Sequence, residues 1–272
     1  MGMRSIFVQV CAAGLFLSTA LHAAPIDYLA LSSTYSQNFD TLTNSATVSW
    51  TNGTTIPGWH ANSFASSVFT TPASLVVTNG TAAIQNTNVY SIGTTSATDR
   101  AFGGQSTNSS GSIRHYALQL VNNTGFTLTE FNLAYTGEQW RLIVSDNNDR
   151  YDFSYQLFSA GTGTLDTSAG WINADALDFV APRTTTTGSN TGIDGNAAGN
   201  FATVSGTVTG FSWAPGQELW LRWTDPNASN LQRAVLGIDD VSFTAIPEPS
   251  MIAMALSGVF CAFFATRRRQ QN

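Results

Sequence analysis

Two adjacent carboxylates, Asp239 and Asp240, interrupt the apolar run "LGIDDVSFTA" near the end of the chain. Alternate residues of a strand share a face, so Asp239 is expected beside Val235, Val241 and Phe243 on the core side. A carboxylate there needs a counter-charge or hydrogen-bond donors, because an unpaired buried charge is very costly. Calcium meets that need, as a hard cation that takes several carboxylate and carbonyl oxygens. Such a site would serve stability and not catalysis. The competing reading pairs Asp239 with an arginine or leaves it at an exposed strand end. A second acidic group, Asp146, Asp149 and Asp152 in "SDNNDRYD", has a spacing of three. Arg150 falls where a calcium loop needs an oxygen and no glycine follows, so a polar turn is expected there.

Aromatic residues offer a different chemistry. Trp50, Trp59, Trp140, Trp171, Trp220 and Trp223 lie among arginines, acids or turns. Sugar sites stack a ring on the apolar face of the sugar, while nearby Arg, Asn and carboxylates bond its hydroxyls. In "ELWLRW", Glu218, Trp220 and Arg222 share one strand face, and Leu219, Leu221 and Trp223 share the other. "GEQWR" places Glu138, Trp140 and Arg141 in another strand. Both outward sets on one concave sheet would form a shallow ligand-binding groove. The competing fate for most of these rings is packing between sheets.

No residues are expected to be catalytic. Beyond residue 24 only His60 and His115 remain, and there is no Gly-x-Ser-x-Gly elbow, His-Glu-x-x-His helix or glycine-rich phosphate loop. Glu130, Glu138 and Glu218 are the residue types for a glycosidase carboxylate pair, which needs two acids flanking one cleft.

The elements that would carry these groups are short runs rich in Val, Thr, Phe, Tyr and Trp, separated by Gly, Asn, Asp and Pro. Expected strands are Tyr35–Leu42, Ala46–Trp50, Ser67–Thr71, Ser74–Val77, Ala83–Ile92, Ser112–Val121 and Thr127–Tyr135. Gln139–Val144, Asp152–Ser159, Ala176–Val180, Phe201–Trp213, Glu218–Trp223 and Ala234–Thr244 complete them. Many short strands at this spacing predict an all-β, jelly-roll-type β-sandwich over residues 25–245. Ala181 to Asn200 is expected to be a surface loop.

Charge narrows the partners. From Pro25 to Pro249 seven arginines face all seventeen acids, a formal charge of −10. So acidic a domain lacks the basic footprint that displaces counterions from phosphate backbones, which disfavours nucleic acid. The two cysteines, Cys11 and Cys261, both lie in terminal apolar segments, so the span between them holds no thiol ligand, nucleophile or disulfide.

Those terminal segments read as addresses. Residues 1–24 have a positive start at Arg4, an apolar stretch from Ile6 to Leu21 and small residues after it, the pattern of a signal peptide. At the other end, residues 246–272 contain Pro247, Glu248 and Pro249, then an uncharged run over 250–266, then Arg267, Arg268 and Arg269 in the tail 267–272. Seventeen uncharged residues sit at the lower limit for a transmembrane helix. The residue before each proline avoids helix, so the span cannot begin before the motif, and the arginines would stay cytoplasmic.

That tripartite order resembles the PEP-CTERM sorting signal, found on exported proteins of Gram-negative bacteria that also make exopolysaccharide. The resemblance implies signal peptidase and a membrane-embedded exosortase as processing partners and a transient inner-membrane anchor. It places the mature chain at the cell surface or in the extracellular matrix, beside exopolysaccharide or biofilm. "LVNNTGFTLTEFNLAYTGEQWR", "DFSYQLF", "ALDFVAP", "IDGNAAGNFATVSGTVTGFSW" and "LGIDDVSFTA" further resemble a recurrent bacterial surface ectodomain with no established activity. The "NFD" and "IDDVSF" ends resemble carbohydrate-binding jelly rolls, in which the opening and closing strands lie close. That likeness adds Asp40 to the structural-calcium candidates Asp239 and Asp240. The expectation is a non-catalytic exported β-sandwich with weak carbohydrate contact; the alternatives are a polysaccharide-acting hydrolase and a purely structural matrix protein.

Overall fold

The computed structural model describes residues 25–65, 67–82, 84, 87–106, 113–142, 149–184, 191–226 and 234–247. The expected signal peptide, Asp146, Glu248, Pro249, the helix over 250–266 and the basic tail with Arg267, Arg268 and Arg269 lie outside the described residues. Among the described residues no helix is long and apolar enough to cross a membrane.

The chain runs through β1 Ile26–Tyr28, β2 Thr34–Gln37, β3 Val48–Ser49, β4 Trp59–Ala65, β5 Val68–Thr70 and β6 Ser74–Thr78. It continues through β7 Val89–Ile92, β8 Ala101–Gly104, β9 Ile113–Asn122, β10 Leu128–Gln139, β11 Arg141–Leu142 and β12 Arg150–Phe158. After these come β13 Ile172–Asn173, a 3₁₀ turn at Asp175–Leu177, β14 Phe179–Val180, β15 Thr191–Gly192, β16 Phe201–Trp213, β17 Glu218–Asp225 and β18 Leu236–Pro247.

These strands make an all-β sandwich of two sheets. The first has the order β13-β12-β17-β9-β4-β5, with β1 on β9 and β14 on β12. The second has the order β16-β10-β18-β8-β7-β6-β3, with β2 on β18. From β8 onward the long strands β9, β10, β12, β16, β17 and β18 fall alternately in the first and second sheets, the winding of a jelly roll. The expected pairing of an early strand with the last one is found for β2, with Gln37 opposite Val241 and Thr34 opposite Thr244. However, β2 stops before Asn38-Phe39-Asp40, and the first strand, β1, pairs with β9 in the other sheet. Sequence reading passed over β1, β4, β8 and β13; "WHANSFA" of β4 and "AFGG" of β8 lack a β-branched alternation. It also broke β10 at Gly137, which the structure carries straight through to Gln139. The expected loop 181–200 contains the short strand β15, paired to β11.

Aromatic rings from both sheets fill the space between them. Trp59 of β4 stacks on Trp223 of β17 with centroids 5.5 Å apart. Phe102 and Tyr135 from the second sheet meet these indoles edge-on at 5.7 and 5.5 Å. Tyrosine hydroxyls tie the layers further: Tyr28 accepts the Ala245 N–H and Tyr151 donates to the Leu236 carbonyl across the two sheets, and Tyr135 donates to the carbonyl of Leu177 in the 3₁₀ turn. Trp223 is fully buried and touches three rings. Trp223→Ala is expected to cost about 3–5 kcal/mol, read as a lower denaturant midpoint with an unchanged slope; a loss below about 1 kcal/mol would contradict this packing.

Candidate functional site

Inward Leu219, Leu221 and Trp223 force Glu218, Trp220 and Arg222 onto the outer face of the first sheet. Glu138 and Trp140 lie on the outer face of the second, because Phe131, Leu133 and Tyr135 point inward. The two sets therefore sit on opposite sides of the sandwich, and the single groove expected from them does not form. Four of the five expected ligand-binding residues are also closed off, with Glu138 2% exposed, Trp140 1%, Arg141 7% and Trp220 2%, while Arg222, at 9%, reaches solvent only at the edge of a pocket on the first sheet.

The two sets share one local device. Glutamate and tryptophan two residues apart on a strand face the same way, so the indole N–H can reach the carboxylate. Trp140 Nε1 donates to Glu138 Oε2 at 2.7 Å, and Trp220 Nε1 donates to Glu218 Oε2 at 2.8 Å. Each indole is then roofed by a glycine. A Cβ on Gly195 would lie 2.3 Å from the Trp140 ring, and one on Gly163 would lie 2.1 Å from Trp220 Nε1. Glu218 also accepts from Gln119 Nε2 and the Gly161 N–H. Arg141 donates to the Gly80 and Thr81 carbonyls. These glutamates and indoles lock covering segments onto the sheets, which explains why they are closed to solvent.

Asp239 is found on the opposite face from that expected. Ala134 faces Ser242 but Thr136 faces Asp239, so Asp240 and Val241 share the place opposite Tyr135. This is a β-bulge, and Asp240 takes the left-handed φ of 48° that the extra residue requires. Leu236 and Ile238 point to the core before the bulge, and Val241, Phe243 and Ala245 after it. Asp239 thus shares the outer face with Val235 and parts from Val241 and Phe243. It is buried there at 4% exposure, diagonal to Glu138, beside a small apolar layer of Tyr90, Ile92, Ala101, Trp140 and Val235.

The electrostatics of this corner are unusual. Burial pushes the Glu138 carboxyl up to about 7 and that of Asp239 up to about 9, the latter also raised by the charge of Glu138. Asp99, Asp194 and Asp240 add like charge around Glu138, and Asp40 acts on Asp99. Arg100 is close enough to feel Asp99 and Glu138. Its buried guanidinium donates to Ser91 Oγ and to the carbonyls of Ser91, Thr94 and Thr78. Asp239 accepts the Asp240 N–H at 2.7 Å. The calcium candidates Asp40, Asp239 and Asp240 are thus brought to one corner, with Asp40 exposed and bonded by Asn38 Nδ2. Among the described residues no three His, Cys, Asp or Glu side chains converge closely enough to hold a metal. Asp149 is a turn anchor, accepting the Ala234 N–H at 2.6 Å.

A polar, open site that includes Arg222 lies on the first sheet. A pocket of about 420 Å³ is lined by Arg150, Asp152, Ser154, Asn173, Asp175, Asp178, Arg222 and Thr224. Cross-strand pairing sets its floor, Asp152 opposite Thr224 and Ser154 opposite Arg222. Arg222 donates through Nε to Ser154 Oγ at 3.1 Å and lies 3.9 Å from the centre of the Trp171 ring. Such a cation–π contact contributes roughly 0.5–2 kcal/mol, and burial brings this guanidinium down to about 10. Arg150 and Asp152 form an ion pair on one wall. Asp178 accepts the Phe153 N–H, and burial raises its carboxyl. Beside the pocket, segment 159–173 covers a polar row in which His115 Nδ1 meets Asn62 Oδ1 at 2.8 Å and Asn62 donates to Asp166. Burial, followed by the charge of Arg222, brings His115 down to about 3. Sequence reading found Arg222 but missed Trp171 as its partner and Asp175 and Asp178 as walls, because a local strand pattern, read here over Ala176–Val180, does not say which side chains meet across the sheet.

The acidic corner makes stability depend on pH. Glu138 and Asp239 bind protons more tightly folded than unfolded, so their contribution is full below about pH 4 and lost as pH rises through 7 and 9. In the presence of a chelator the melting temperature is expected to fall over this window, and Glu138→Gln with Asp239→Asn to flatten the fall. An unchanged slope in the double variant would contradict the assignment.

No family model matches the chain, and no curated protein does. Similar solved structures include a xylan-binding module at 11% identity, covering 75% of this chain and 99% of that one with a TM-score of 0.36. A mannan-recognising carbohydrate-binding module aligns at 11% identity over 74% of this chain and 96% of its own, TM-score 0.32. The enzymatically active domain of tailspike protein 4 of bacteriophage CBA120 aligns at 10% identity over 76% of this chain, TM-score 0.32. The chain spans 21% of that tailspike structure. At these identities and TM-scores the three likenesses carry no argument about what this chain does.

Proposed function

We propose that this chain is a non-catalytic, exported β-sandwich that holds polysaccharide weakly at the cell surface or in the extracellular matrix. The observation that carries the reading is the pocket built around Arg222. A guanidinium held against the Trp171 ring forms its floor, and Asp152, Asp175, Asp178 and Asn173 stand around it. A polyhydroxylated ligand offers each of these groups a partner: hydroxyl protons for the carboxylates, hydroxyl oxygens for Arg222 and Asn173. Charged walls and an open mouth suit a weak, water-mediated contact better than a deep apolar one. A hydrolase reading finds less support, since Glu138 and Glu218 are on different sheets and each is bonded to an indole. Export and release follow from the signal-peptide and PEP-CTERM resemblances, with signal peptidase and exosortase as processing partners. Affinity electrophoresis through gels carrying bacterial exopolysaccharide or plant polysaccharides tests the pocket. Retardation by at least one polymer is expected, lost in Trp171→Ala and in Asp175→Asn but kept in Glu130→Gln on the other sheet. No retardation by any polymer, or retardation indifferent to Trp171→Ala, would overturn the reading.

We also propose a structural calcium at the acidic corner, on the ground that Glu138 and Asp239 are buried together with like charges around them. Backbone or water oxygens would supplement these two carboxylates. A cation held by oxygen ligands would reverse the loss of stability with rising pH. Calcium is expected to raise the melting temperature at pH 8, EDTA to lower it, and Glu138→Gln with Asp239→Asn to remove both effects. A melting temperature indifferent to calcium and EDTA would rule the cation out.

A further inference from the structure

Three of the four margins of the two sheets end in strands too short to template another chain: β3, β5 and β13 have two, three and two residues. Short edges of this kind are how β proteins avoid unwanted pairing. The fourth margin is different. β16 runs thirteen residues, Phe201–Trp213, and pairs only with β10. Its sequence, FATVSGTVTGFSW, contains no charged residue and no proline, in a chain where seventeen acids face seven arginines between Pro25 and Pro249. Among the described residues no other backbone group pairs with its far side.

The same strand reads almost identically in both directions. About Gly206 the run Thr203-Val204-Ser205-Gly206-Thr207-Val208-Thr209 sets Thr203 against Thr209, Val204 against Val208 and Ser205 against Thr207. An antiparallel pair related by a two-fold axis brings just these residues face to face, because residue i of one strand then meets the symmetry-related j of the other. Directly opposed residues lie on the same side of the sheet, and the burial pattern respects that. Thr203, Ser205, Thr207 and Thr209 are exposed, while Ala202, Val204, Gly206 and Val208 are partly or fully buried. Cross-strand hydroxyl pairs and valine pairs both stabilise such a seam. At the axis two glycines meet, so no side chain has to be accommodated. The regular stretch ends at Gly210, whose φ of 82° turns Phe211 and Trp213 into the core.

We propose that β16 is a self-association edge, at which a second copy of this chain adds antiparallel about Gly206 and joins two second sheets into one continuous sheet. The uncharged strand is where two acidic bodies can approach with least repulsion, and its near-palindrome selects a copy of itself over an unrelated strand. This interface does not involve the Arg222 pocket, which lies on the other sheet.

Sedimentation velocity of the whole chain is expected to show one copy giving way to two as concentration rises. S205K/T207K changes two exposed side chains, should keep the far-ultraviolet circular dichroism, and is expected to lose the two-copy species. S205E/T207E is expected to lose it as well. In the proposed register position 205 faces position 207, so equal amounts of the two variants should recover a mixed pair through opposite charges. A wild-type chain that stays single at every concentration, a two-copy species that survives S205K/T207K, or a mixture that stays single would each overturn the proposal.

Discussion

Trp59 and Trp223 stack within the sandwich while Phe102 and Tyr135 close on them from the opposing sheet. This ring packing determines the orientation of nearly everything else. A strand has a period of two, so once Trp223 is inward, Arg222 and Thr224 must face out, and the partner strand must present Asp152 and Ser154 beside them. The outer pocket is thus a consequence of the inner stack. A shift of one residue in β17 would bury a guanidinium among indoles and expose Leu219 and Leu221, at a cost no surface contact could offset.

The bulge at Asp240 is the one place where the last strand leaves this rule, and it does so to keep both halves of β18 in the core. Without the extra residue either Leu236 and Ile238 or Val241 and Phe243 would face outward. The consequence is a carboxylate on the outer face, buried next to Glu138 and surrounded by Asp99, Asp194 and Asp240. Covering this corner concentrates negative charge that Arg100, occupied with carbonyls, relieves only through space.

The long strands were legible because their residues alternate cleanly: Phe201–Trp213 was read to the residue, and Glu218–Trp223 to within two. The pairing of β2 with β18 was legible as well, through a resemblance and not through the residues alone, although the strand lies just before the residues that carried the resemblance. Faces were harder. Period-two reasoning placed Glu218, Trp220 and Arg222 together correctly, yet it could not say that β10 and β17 belong to different sheets, since strand order is a long-range property. Nor could it see the bulge, for which "IDDV" carries no glycine as a signal. The indoles of Trp140 and Trp220 looked like open platforms because glycines 55 and 57 residues away in the chain are close only after folding. Arg222 was found by the strand face it shares with Glu218 and Trp220, whereas its contact with Trp171 and the walls Asp175 and Asp178 depend on a connection whose path follows from packing on the sheet.

Polysaccharide contact at the outer face of the first sheet is the central claim, and the tryptophans report on it directly. Seven indole N–H signals are available to nuclear magnetic resonance. A soluble oligosaccharide from a retarding polymer should shift the Trp171 signal saturably while leaving the buried Trp140, Trp213 and Trp223 signals in place. Shifts at Trp140 without Trp171, or no shift at any indole, would contradict the account.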